Sequence, residues 1–392
     1  MNVKLRRGFG CAVSFDLGMD GVPCCLPSPC LPPAFHPILL TERNFLMKNS
    51  RFVNRRGFLT AGAGAALSVS LGSAVSAQEQ TANNTVKFSV FADIHHAPGV
   101  FLSRTPEHLV QIQDRAVREK CDFIIHCGDF CHDPQKETEF VKLFNDFQIP
   151  SYHTPGNHDF DGCSCEATFK AYRLENGFYF FDRNGFRFVV LDANYFQNED
   201  GTFTHYSNGN YFKYRGNAIT ILPPEEMEWL AKTLEDSPFP CVLFSHQSFE
   251  REVGSIANWE EIRELIDSVN ARHPGRIRMC INGHHHRDFI RIQNQVVYFE
   301  MNSATHEWLE KTHDLFPEDV CREHRMVNHT IVFEDPIHAV VTMDSEGLIK
   351  IEGMETEMFM GVTRTRAGMK FADASGRPVF AKVQSAEMRF SY

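Results

Sequence analysis

Seven residues far apart along the chain carry side chains able to bind a transition metal, and they follow apolar runs. Asp93 and His95 close VKFSVFADIHH, and Asp129 closes DFIIHCGD. Asn157 follows PSYHTPG, His246 closes CVLFSH, and His284 and His286 close MCINGHHH. Carboxylate and amide oxygens mixed with imidazole nitrogens suit Mn, Fe, Zn or Ni better than Ca or Mg alone. Seven such groups are too many for one tetrahedral zinc but enough for two ions that share a carboxylate. Two ions about 3.5–4 Å apart hold a bridging hydroxide and clamp the oxygens of an in-line phosphoryl displacement. The two-residue spacing in Asp93/His95 and in His284/His286 predicts that each pair lies on one side of an extended segment.

The elements between these residues must bring them together. VKFSVFAD, CDFIIHCGD, PCVLFSHQ and RIRMCINGHHH read as strands. Residues 106–120, 137–148, 223–235 and 258–272 have helical periodicity, with Pro and Glu opening the first and the third. GFYFFDRNGFRFVVLDA reads as a hairpin about Asn-Gly. Strands and helices alternating in this way predict a layered α/β domain. The unbroken apolar runs DFIIHC and CVLF suit strands covered on both faces. In an open α/β sheet the C-terminal ends of the strands meet at one edge, where ligands bind. From residue 287 strand follows strand, ending in a hairpin at HAVVTMDSEGLIKIEG. Residues 354–392 are expected to form a separate extension with some strand character.

The ordered motifs DIH, GD, GNHD, H and GHHH resemble those of the calcineurin-like metallophosphoesterase superfamily. The resemblance spans residues 93–286 and implies a domain over about 85–353. It implies a four-layer α/β/β/α sandwich, two mixed sheets flanked by helices, with two metal ions. Carried over by position, Asp93, His95, Asp129 and His286 hold one ion. Asp129, Asn157, His246 and His284 hold the other, and Asp129 bridges. His95 stands where purple acid phosphatases have Gly, so an iron-tyrosinate centre is not expected. His246 is followed by Gln247, whereas many relatives have His-x-Pro.

Within GNHD, Gly156 lets the chain turn close to the ions and Asn157 supplies a neutral amide oxygen. His158 is expected to face the substrate and, as imidazolium, to stabilise a phosphate oxygen or protonate the leaving alkoxide. Asp159 is expected to accept a hydrogen bond from the other ring nitrogen of His158. Several nearby residues invite plainer expectations. His285 should point away from the ions, His126 and His153 should pack in the interior, and His132 reads as a loop residue ahead of a substrate contact. His96 reads equally as pocket lining or surface, and Asn302 and Ser303 equally as site neighbours or turn residues. Tyr211, Tyr214 and Arg215 read as a packed surface loop ahead of a phosphate grip.

Composition narrows the field. A net charge of −11 over 392 residues repels nucleic acid at long range, so nucleic-acid binding is not expected, and a small anionic substrate requires a local cation to offset the field. Near the N-terminus, Arg55-Arg56 precedes the weakly apolar AGAGAALSVSLGSAVSA and the polar QEQTANN. This resembles a twin-arginine signal over 47–77, cut after Ala77, and implies transient contact with that export machinery. The run is too short and too rich in small residues for a stable membrane span. Residues 1–46 then read as an upstream extension from a misassigned start, and the product as periplasmic or extracellular. Eight cysteines remain in the mature chain; several read as buried strand residues, and the pairing of Cys163, Cys165 and Cys131 stays open. The expected function is hydrolysis of a phosphate mono- or diester through a metal-bridging hydroxide, with His158 assisting the leaving group. The alternative is a non-catalytic metal-binding or partner-docking module on the same fold.

Overall fold

Alternate residues of β1 (Thr85–Phe91) face opposite ways. Val86, Phe88 and Val90 enter one buried cluster, and Phe91 enters another. The same division recurs in β2 (Phe123–Cys127), whose Phe123, Ile125 and Cys127 oppose Ile124. It recurs again in β5 (Phe186–Val190), whose Phe186, Phe188 and Val190 oppose Val189. Strands buried on both faces require a layer on each side, and that dictates the architecture.

The chain is seen in a computed structural model that describes residues 84–102, 104–209, 211, 218–250, 254–309, 314–362 and 380–392. The expected upstream extension, the export signal, Tyr214 and Arg215 lie outside the described residues. No helix among the described residues is long and apolar enough to cross a membrane.

Two six-stranded mixed sheets pack face to face. The remaining strands are β3 (Ser151–Thr154), β4 (Tyr179–Arg183), β6 (Cys241–Phe244), β7 (Ile277–Asn282), β8 (Phe289–Gln293), β9 (Val296–Glu300), β10 (Ala339–Asp344), β11 (Leu348–Glu352) and β12 (Ala386–Arg389). The first sheet has the order β12-β11-β10-β1-β2-β3 and the second β8-β9-β7-β6-β5-β4. β1, β2 and β3 run parallel, as do β5, β6, β7 and β9. Phenylalanines fill the space between the sheets: Phe88 stacks on Phe123 at 5.0 Å, and Phe188 meets Phe123 edge-on at 4.7 Å.

Helices cover the outer faces. α1 (Thr105–Arg118) buries Leu109, Ile112 and Ala116 at helical spacing, and α2 (Thr138–Asn145) buries Phe140, Val141 and Phe144. Both stripes join Phe91 and Ile124 of the first sheet. α3 (Cys165–Tyr172) is capped by Ser164, whose Oγ accepts from Ala167 N at 3.2 Å. α4 (Pro224–Glu235) and α5 (Trp259–Arg272) cover the second sheet with Leu230, Leu234, Ile262 and Ile266. The four layers follow the order expected from the sequence.

One expectation needs correction, and one open question is answered. Within residues 354–392 the described β12 does not stand apart: it pairs antiparallel with β11, with Ile349 opposite Met388, and extends the first sheet. Alternating half-buried residues fit it to a sheet edge. The cysteine question is also settled among the described residues, since Cys121, Cys127, Cys131, Cys163, Cys165, Cys241, Cys280 and Cys321 are all free. Cys163 packs instead against Thr168 Oγ1 at 3.2 Å.

Candidate metal centre

The seven candidate metal ligands stand just beyond the C-terminal ends of β1, β2, β3, β6 and β7, at one edge of the sandwich. The two-residue pairs do not lie on extended segments, as their spacing suggested. Asp93, His95, Asp129, His284 and His286 have φ of 54°, 49°, 50°, 74° and 52°. Left-handed backbone at a non-glycine residue costs about 1–2 kcal/mol. Such strain persists where the surroundings enforce it, and it concentrates at functional sites. Here backbone hydrogen bonds enforce it: Asp93 N donates to Gly128 O at 3.0 Å and His95 N to Asp129 O at 2.9 Å. Each strand end is thus tied to its neighbour, and the side chains turn inward together.

One group gathers Asp93, His95, Asp129 and His286. His95 Nε2 lies 3.8 Å from Asp93 Oδ1 and 3.8 Å from Asp129 Oδ2. His286 Nε2 lies 3.5 Å from Asp93 Oδ1 and 3.1 Å from His95 Nε2. His286 Nδ1 donates to His306 O at 3.0 Å, so its Nε2 is left for the site. Burial holds the His95 imidazole well below its usual range despite Asp129, which keeps a ring lone pair available.

A second group gathers Asp129, His246 and His284. His246 Nε2 lies 3.0 Å from Asp129 Oδ2 and 3.1 Å from His284 Nδ1. His246 Nδ1 donates to Cys127 O at 2.8 Å, again leaving Nε2 for the site. Burial alone would lower His246, but Asp129 more than offsets it and raises the group to about 9. A proton at Nε2 therefore competes with a cation for the same position. Burial would raise the Asp129 carboxyl, yet His246 and His158 outweigh it and hold it well below the usual range. Asp129 Oδ2 faces both groups, which is the placement a bridging carboxylate needs.

Asn157 supplies the test of whether ions fit. It is 1% exposed, and neither its Oδ1 nor its Nδ2 has a hydrogen-bond partner. A buried amide left unpaired costs about 1–3 kcal/mol. A cation accepting its oxygen, and drawing together imidazole nitrogens that face one another at 3.1 Å, accounts for both observations. The donor set fits two transition metal ions.

GNHD continues as a 3-10 turn over Asn157–Phe160. This geometry overturns the expected role of Asp159. Its Oδ1 accepts from Phe130 N, Cys131 N and Tyr172 Oη at 2.8–2.9 Å, and its Oδ2 accepts from Gly156 N at 2.8 Å. Asp159 fastens the loop to the one after β2 and does not reach His158. A helical turn brings residues three apart together, so Asp161 takes that place, with His158 Nδ1 donating to Asp161 Oδ2 at 2.7 Å. Burial works against a charged His158, but Asp161 and then Asp129 overcome it and raise the group to about 10.

His132, expected as a loop residue ahead of a substrate contact, instead lies against Asp161 and His95. Its Nδ1 faces Asp161 at 3.3 Å and its Nε2 meets His95 Nδ1 at 2.8 Å. With His132 Nδ1–H donating to Asp161, His132 Nε2 accepts from His95 Nδ1–H, and His95 Nε2 is unprotonated toward the site. The signal was available: Asp161 stands three residues after His158, and His132 three after Asp129.

The other histidines divide. His96 meets Thr105 Oγ1 at 2.6 Å and stacks on Phe140, a packing role. His126 and His153 pair at 2.7 Å inside the fold. His285 Nδ1 lies 3.4 Å from Glu300 Oε1. Asn302 Nδ2 donates to Phe380 O, whereas Ser303 Oγ donates to Asp93 O at 2.8 Å beneath the site. The Tyr211 ring centre lies 6.1 Å from that of His158.

A family described as calcineurin-like phosphoesterase matches residues 86–288. No curated protein matches the sequence. Among solved structures, a dimetal phosphatase from Danio rerio is similar at 13% identity, with 68% of this chain and 95% of that chain covered and a TM-score of 0.48. A purple acid phosphatase from yellow lupin (Lupinus luteus) seeds is similar at 13% identity, with 79% of this chain and 54% of that one covered and a TM-score of 0.42.

Proposed function

This chain belongs to the calcineurin-like phosphoesterase family and is a phosphate-ester hydrolase, and from that premise we propose that it is an exported, two-metal enzyme acting on a small phosphate mono- or diester. The observation that carries the metal reading is the convergence of seven donor residues at one sheet edge with the Asn157 amide buried and unpaired. Asp93, His95, Asp129 and His286 hold one ion, and Asp129, Asn157, His246 and His284 hold the other. When bound, such ions activate water at neutral pH and neutralise charge on phosphoryl oxygens.

The chain's own residues do the rest. His158 is held as imidazolium beside the site by Asp161. It donates a hydrogen bond to a phosphoryl oxygen or passes its proton to the leaving alkoxide. Asp161 and His132 fix the ring of His95. Asp159 holds the GNHD loop against the loop after β2. Export rests on Arg55-Arg56, the weakly apolar run after it and the polar exit beyond Ala77. A twin-arginine route carries folded protein, which suits a site assembled from five strand ends.

One preparation tests the whole reading. Protein recovered from its host's exported fraction is expected to begin after Ala77 and to contain about two transition metal ions per chain by elemental analysis. It should hydrolyse mono-p-nitrophenyl or bis-p-nitrophenyl phosphate, and Asp129→Asn should lose most of that turnover while keeping its far-UV circular dichroism. An unprocessed N-terminus overturns export. A metal-free, inactive chain overturns the enzyme reading and favours a docking module.

A further inference from the structure

We propose that His306 is a further nitrogen ligand of the ion held by Asp93, His95, Asp129 and His286, a proposal that rests on the two-metal reading above. His306 lies outside the matched span 86–288 and belongs to none of the motifs that mark the site. It begins a short strand, His306–Trp308, that pairs antiparallel with Thr330–Val332.

The case starts from hydrogen-bond accounting. The Thr305 hydroxyl has one hydrogen, and its Oγ1 donates to Ile94 O at 3.2 Å. The same oxygen lies 3.0 Å from His306 Nδ1, so it accepts there and His306 Nδ1 carries the proton. His306 Nε2 is then an unprotonated lone pair. It is buried, on a side chain 1% exposed, and has no hydrogen-bond partner. A lone pair stranded in this way costs about 1–3 kcal/mol unless something accepts it.

Its surroundings say what does. Ring nitrogens of His95, His286 and His306 lie within 4.8 Å of one another. The His306 ring centre is 5.1 Å from that of His95 and 5.2 Å from that of His286. Phe101 stacks on the His306 ring at 4.8 Å and fixes its plane. The backbone is fixed as well: His306 N donates to Ser303 Oγ at 3.3 Å, and Ser303 Oγ donates to Asp93 O at 2.8 Å. His306 O meanwhile accepts from His286 Nδ1. One residue thus orients a ligand with its carbonyl and offers another ligand with its ring.

Five protein donors, three imidazoles and two carboxylates, exceed the four of a tetrahedral zinc site. The first ion is therefore one that takes six ligands readily, such as manganese, iron or nickel, with room left for an oxygen from outside the protein.

Metal-free wild type, His306→Gln and His306→Phe are titrated with Co²⁺, followed by visible ligand-field absorption and by competition with a chelator. The wild type should bind two ions. The variants should keep one site unchanged and lose roughly 10–100-fold in affinity at the other, with an altered absorption band there. Wild-type affinities and spectra in a folded variant overturn the proposal, as does a raised KM with unchanged metal binding, which makes His306 a substrate contact. A wild type that binds no Co²⁺ overturns both this proposal and the two-metal reading. An independent measurement needs no variant: ¹⁵N-imidazole spectra of the wild type loaded with Cd²⁺, a diamagnetic ion that takes six ligands, should show five metal-bound ring nitrogens. Four, the number of motif histidines, would overturn it.

Discussion

Two neighbouring carboxylates in GNHDFD do different work because a 3-10 turn sends them in different directions. Asp159 is spent on backbone N–H groups, whereas Asp161 meets both His158 and His132. His158 keeps its proton at neutral pH because Asp161 and Asp129 overcome the effect of burial. With Asp129 committed to the ions, Asp161 is the anion left to hold the proton on His158. Asp161→Asn removes the larger of the two raising influences, so the His158 pKa must fall. The alkaline limb of kcat/KM against pH is expected to move down by roughly 1–3 units. His158→Ala should abolish that limb and lower kcat by roughly 10²–10⁴-fold. An Asp161→Asn profile that overlays the wild type would show that His158 is not the titrating acid.

Strands and the loops that leave them differ in how far the sequence foretold them. The strand runs were legible because burial on both faces leaves unbroken apolar stretches such as FIIHC and CVLF. The hairpin at Asn184-Gly185 was legible because both residues take positive φ, 48° and 78°, the turn that Asn-Gly favours. The strand ends were not legible: Asp93, His95, His284 and His286 leave the extended conformation because neighbouring loops pull them, and nothing local encodes that. His306 was missed because its partners, Thr305 and Ile94, meet only once both sheets have formed. The GNHD loop shows the tightness of this packing. A Cβ on Gly156 would fall on the backbone nitrogen and Oδ1 of Asp129, so glycine is needed there for close approach. Gly156→Ala is expected to displace the loop after β2 and weaken metal binding at least roughly tenfold, measured by calorimetric titration, while far-UV circular dichroism holds. Unchanged affinity would mean that the two loops yield independently.

Across the whole molecule, the edge that carries the site and the opposite edge are held by different means. At the site edge, side chains face one another across unsatisfied lone pairs. At the far edge, buried Arg278 at the start of β7 ties the second sheet to the first. Its Nη1 donates to Asp344 O at 2.8 Å and its Nη2 to Ser345 O at 3.3 Å, at the end of β10. The guanidinium also lies 4.5 Å from the centre of the Tyr392 ring, beyond β12. Arg278→Met keeps much of the stem but takes the guanidinium donor from Gly275 O, Asp344 O and Ser345 O, of which Asp344 O keeps Gly347 N, at a cost of about 2–3 kcal/mol. The thermal midpoint should fall by several degrees, within about 2–4 °C per kcal/mol for a domain this large. Six residue steps, most of them in β7, separate Arg278 from His284, about 20 Å if extended. Turnover per folded molecule, measured well below the midpoint, should therefore equal that of the wild type. A variant with normal stability would show that the sheets hold together without this tie. One with normal stability and reduced turnover would show that Arg278 acts on the site along β7.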